Sequence, residues 1–234
     1  MRTSMKLAGA ATLLLASGTA LAADHADGPG VKADAVSDIN DVFTWTSADK
    51  ANLNLIMTIG GTSQPTAFGD VTQYVFHLNR SDNPLAAAGD GTDTQLICEF
   101  ASNTDAKCWL GTGDYVTGDP SSAEGMKSAS GKLRVHAGAH AEPFFFFLDG
   151  FKAAVTTVVM AASILSFYPS GCPKLDAATV TALQGLLTKS PMNMPPVDNF
   201  KDLNSLAIVA EVAVDAVPGT GNFLAVWAGT YVKN

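Results

Sequence analysis

Residues 52–59 alternate without a break: Leu53, Leu55, Met57 and Ile59 fall on one side, with Asn52, Asn54 and Thr58 on the other. Successive side chains of an extended chain point to opposite faces, so a period of two predicts a strand with one buried face. The pattern recurs over 42–47 and over 72–79, where Tyr74, Phe76 and Leu78 share a side. Shorter strands are expected at 94–100, 107–110 and 132–137. Residues 206–217 and 223–232 read as a closing pair joined by Pro218-Gly219-Thr220-Gly221. Residues 111–130 are rich in Gly, Ser and Asp and read as loop. Helix is expected mainly in the middle of the chain. Residues 153–168 form an uncharged run ending at Pro169, flanked by Asp149 and Lys152, though its Val and Thr leave a strand open. Residues 176–190 suit an amphipathic helix, with Asp176 as cap, a stripe of Val180, Leu183, Leu186 and Leu187, and Pro191 beyond its end. The expected fold is mainly β: an antiparallel, sandwich-like single domain with a helical insertion at about 153–190.

The start of the chain is of another kind. Arg2 and Lys6 precede an apolar run from Leu7 to Ala22 that ends Ala20-Leu21-Ala22, the small-x-small pattern of signal peptidase cleavage. Residues 1–22 therefore read as a signal peptide and 23–234 as one β-rich domain that is periplasmic or secreted, with no stable membrane span after cleavage. Losing Arg2 and Lys6 leaves 12 Lys and Arg against 22 acids, a net of −10. That charge repels nucleic acid and anionic lipid and suits cations. Cys98 and Cys108 stand ten apart across Asn103-Thr104-Asp105, so an oxidising compartment favours a disulfide closing that hairpin, with Cys172 left over.

Four segments carry a resemblance. They are Asp24-His25-Ala26-Asp27-Gly28-Pro29 with Ser37-Asp38-Ile39-Asn40-Asp41-Val42-Phe43, then Ala137-Gly138-Ala139-His140-Ala141-Glu142-Pro143-Phe144-Phe145-Phe146, then Leu203–Val212, and last Leu224–Thr230. Together they resemble the exported bacterial family called domain of unknown function 4331, across nearly all of the mature chain. The resemblance implies export and names no activity. This chain has His140 where that family usually has Arg, Ala141 where it has an acid and Phe147 where it has Asp.

Four groups could carry chemistry. A cut after Ala22 would expose Ala23-Asp24-His25, whose amine, two amides and imidazole can close around Cu²⁺ in a plane. Asp34, Asp38 and Asp41, with Asp27 nearby, offer hard oxygen ligands of the kind Ca²⁺ takes, although Asp38 and Asp41 serve equally as caps that start a strand. Of His136, His140 and Glu142, the two histidines would share a face on a helix and make a zinc pair, the alternative being structural or surface histidines. In a strand, residues four apart stand about 13 Å from each other, too far for one ion unless the chain turns. Phe144 to Phe147 with Phe151 is expected to be core against the long apolar helix. No nucleophile elbow, His-Glu-x-x-His or phosphate-cradling loop is present.

The function this supports is an exported binding or structural module stabilised by a divalent cation, with metal ligands among His25, Asp27, Asp34, Asp38, Asp41, His140 and Glu142. The competing readings are a metal-dependent hydrolase or oxidase built on the same His and Asp residues, and a cell-surface interaction protein assembling through strand edges.

Overall fold

The computed structural model describes residues 29–83, 91–189 and 194–233. The leader, His25 and Asp27 lie outside them.

Two compact units emerge, one all but wholly β and one helical. The β unit holds two five-stranded antiparallel sheets. In sheet A, β1 (Ile39–Thr46), β2 (Asn52–Ile59), β9 (Asn204–Ala213), β8 (Leu133–Ala141) and β7 (Met126–Lys127) lie in that order. In sheet B the order is β10 (Phe223–Val232), β3 (Thr72–Ser81), β4 (Thr92–Ser102), β5 (Asp105–Leu110) and β6 (Asp114–Gly118).

Period two decides what each sheet buries. Leu53, Leu55, Met57 and Ile59 of β2 join Leu133 and Val135 of β8 and Leu206 and Ile208 of β9. Facing them in the same cluster are Tyr74, Phe76 and Leu78 of β3, Leu96 and Phe100 of β4, and Leu110 of β5. One apolar core thus lies between two inward faces, the sandwich solution for sheets that are apolar on one side. Cys98 and Cys108 pair directly across β4 and β5 and are joined by a disulfide buried in that core.

Several boundaries differ from the expectation. Residues 111–130 are not all loop, since they hold β6 and β7; these strands are too short, and too rich in Gly and Asp, to show a period. The closing strands are not a pair: β9 sits in the middle of sheet A and β10 at the edge of sheet B. Pro218 to Gly221 therefore carries the chain from one sheet to the other. The strand expected over 132–137 continues to Ala141, which places His140 within it.

In the helical unit, α2 spans Leu148–Ala161 and α3 spans Ala177–Thr188; a five-residue α1 (Pro29–Ala33) belongs to the β unit. The apolar run of 153–168 is helix, but it begins earlier, with Asp149 in its first turn, and stops at Ala161. An acid is favourable at a helix N-terminus, so Asp149 starts this helix instead of bounding it. Asp176 caps α3 as expected, its carboxylate accepting from Thr179 N at 2.7 Å. No described helix is long and apolar enough to cross a membrane.

Candidate functional site

Among the sequence candidates, Glu142 lies at one end of sheet A, beside Asn40 and Ser205. Asn40 sits at a bulge where β1 begins, Ser205 where β9 begins, and Glu142 just beyond the end of β8. Asn40 Nδ2 donates to Ser205 Oγ at 3.3 Å, and the Ser205 hydroxyl donates to Glu142 Oε2. The other carboxylate oxygen of Glu142 accepts from Phe144 N at 3.2 Å. Glu142 is thus committed to tying three chain segments together. Asn40 is buried, and its Oδ1 finds no donor among the described residues.

The acidic run is spread out. Asp34 is exposed and accepts from Ser37 Oγ at 2.6 Å, Asp38 is buried, and Asp41 is half-buried on β1. The run is held by its own backbone: Val36 O accepts from Tyr74 Oη, Ser37 O from Thr230 Oγ1, and Asp38 O from Gly60 N. These three bonds tie residues 36–38 to both sheets. Asp41 shares a row with Thr58, Ala207 and Gly138, so three strand spacings, about 14 Å, part it from β8. Among the described residues, no group of three or more His, Cys, Asp or Glu could hold a metal ion.

The two histidines of β8 correct the expected separation. Their ring centres stand 5.3 Å apart, with 66° between the planes. Both point away from the core on either side of Gly138, where an added Cβ would meet nothing within 4 Å. The two imidazoles lean toward each other along the strand, and the space above Gly138 is open. His136 Nδ1 lies 3.1 Å from Ser122 O. A carbonyl only accepts, so Nδ1 carries a proton, and in the neutral ring the lone pair is on Nε2. Burial, and then the neighbouring His136 ring, hold His140 below the ordinary histidine pKa.

The phenylalanine run is only partly core. Phe147 is buried and Phe145 exposed, while Phe144 and Phe146 contact each other and Phe200.

A second constellation was not legible in the sequence. On the outward face of sheet B, His77 is buried and stacks on Trp227 with ring centres 4.8 Å apart. His77 Nδ1 lies 3.2 Å from Asp93 Oδ2 and Nε2 lies 3.2 Å from Tyr231 Oη. An ionised carboxylate can only accept, so Nδ1 donates to Asp93, and in the neutral ring Nε2 accepts from the tyrosine. Tyr231 lies across Gly229, whose missing Cβ would stand 3.0 Å from the ring. Along the same face Trp109 and Tyr115 pair at 5.6 Å, and Gln73 donates to Glu99 at 2.7 Å. That hydrogen bond, opposed by burial and helped by Lys233, lowers the Glu99 pKa. The partners of His77 come from positions 93 and 231, and no local spacing connects them.

A third feature is a cleft of about 300 Å³ lined by Leu110, Gly113, Asp114, Ser130, Lys132 and Ala216, away from every residue singled out in the sequence.

Compared with known proteins, the chain matches no family model, no curated protein and no solved structure.

Proposed function

We propose that this chain is a binding module, exported as its resemblance to the domain of unknown function 4331 family implies, and that the outward face of sheet B takes the ligand. The observation that carries this is the buried His77, fixed by Asp93, Tyr231 and Trp227. A side chain held from three directions locks its neighbours, and a locked aromatic costs little further order on binding. Tyr231 and Tyr115 remain about half exposed, and Gln95 and Gln73 stand beside them. A flat ring with an apolar face and hydroxyl edges, such as a sugar, suits aromatic faces bordered by amides. Soluble polysaccharides in a native gel test this. At least one should retard the wild-type protein, and Trp109→Ala should abolish the retardation while its Tm stays within a few degrees. A panel that retards neither protein overturns it.

The module is further proposed to hold a divalent cation. The sequence suggests Ca²⁺ on Asp34, Asp38 and Asp41, which the spread of those carboxylates does not support, and Cu²⁺ on Ala23-Asp24-His25 after cleavage. Chelation should then lower the Tm of protein purified from the exported fraction; an unchanged melting curve in EDTA would contradict a resident ion.

A further inference from the structure

We infer that His136 and His140 form an open two-histidine site for a borderline divalent ion, Zn²⁺ or Cu²⁺, on the outward face of sheet A. The inference deepens the cation part of the function proposed above and is independent of the face on sheet B. Imidazole is the ligand these ions favour.

The geometry fits one ion. An ion about 2.0–2.1 Å from a nitrogen of each ring stands about 3.2 Å from each ring centre, and a tetrahedral angle at the ion then sets the centres about 5.2 Å apart. The observed separation is 5.3 Å. The planes are 66° apart, so the rings are not stacked face to face. Gly138 keeps the space between them clear.

The surroundings fit as well. His136 has the orienting bond that metal-bound histidines use, Nδ1–H to a backbone carbonyl, with Nε2 left for the ion. Glu142 is engaged by Ser205 and Phe144 N and does not complete the set. Two protein ligands leave two tetrahedral positions for water or for a donor atom of a ligand, the arrangement of an exchangeable site.

The test is Zn²⁺ titration of the exported protein, followed by the imidazole ¹⁵N shifts and by calorimetry. One Zn²⁺ per chain should move the His136 and His140 nitrogens together, and His140→Ala should weaken that binding at least ~10-fold. His25→Ala should leave it unchanged. Zn²⁺ shifts confined to His25, an unaltered affinity in His140→Ala, or no binding up to about millimolar Zn²⁺ would each overturn the site. The first two outcomes leave a cation elsewhere in the module intact. Zn²⁺ binding at the pair in a protein purified without metal would instead overturn only the resident ion. A Tm of His140→Ala close to wild type separates ligand loss from misfolding.

Discussion

Tyr74 shows how one side chain can serve core and connection together. Its ring is buried among Phe68 and Phe100, while its hydroxyl accepts from Gly69 N and donates to Val36 O, both at 2.9 Å. Burial pushes its pKa up to about 12. A phenol that ionises near 10 when unfolded and near 12 when folded favours the folded state in its neutral form. The stabilisation is fully present below pH 10 and is lost as pH rises toward 12, a change of about 2–3 kcal/mol. Tyr74→Phe should flatten that alkaline loss in urea unfolding curves. At pH 7 it should cost about 1–3 kcal/mol, because two backbone groups lose their partner. An alkaline limb as steep in the variant as in wild type would assign it to other groups. His77 makes the complementary point. Between Phe76 and Leu78 it looks like any polar position of an alternating strand, and only the folded sheet brings Asp93 and Tyr231 to it.

Elements were legible where burial imposes a period. The strand at Asn52–Ile59 matches its expected bounds because one of its faces lies wholly in the core. Legibility failed where nothing is buried or nothing alternates. Ala137 to Ala141 is built of small residues plus one His, so the end of β8 carries no pattern, and the sequence named the two histidines without showing that they meet on a strand. The expectation of about 13 Å held for the backbone of a strand but ignored how far two imidazoles can lean over a glycine. The order of β9 and β10 misled because neighbours in sequence usually pair, and here the turn crosses between sheets. The β4–β5 hairpin did follow from its turn and cysteines. Its disulfide encloses a separation of 10 residues already paired as strands. Replacing Cys98 and Cys108 with Ala should lower the unfolding free energy by roughly 2–3 kcal/mol, read from the denaturant midpoint. No shift would mean that the strands alone close the loop.

As a molecule, the chain sets an acidic β-sandwich beneath two differently equipped faces. Sheet B presents aromatic rings around a fixed histidine, and sheet A presents a histidine pair over a glycine. The hydrophobic pattern set the two-layer fold, because burying one side of each sheet leaves the other side free for side chains that stability does not dictate. Those outward positions are where sequence reading lost its hold, and where the candidate chemistry lies. The central claim is that the chain, proposed above to be exported, carries one open divalent-ion site on this frame. Native mass spectrometry of exported protein in dilute Zn²⁺ tests it most directly. The expected mass is that of residues 23–234 less two hydrogens for the disulfide, plus one zinc, with the zinc lost in His140→Ala. A zinc-free wild-type chain, or a zinc retained by the variant, would contradict it.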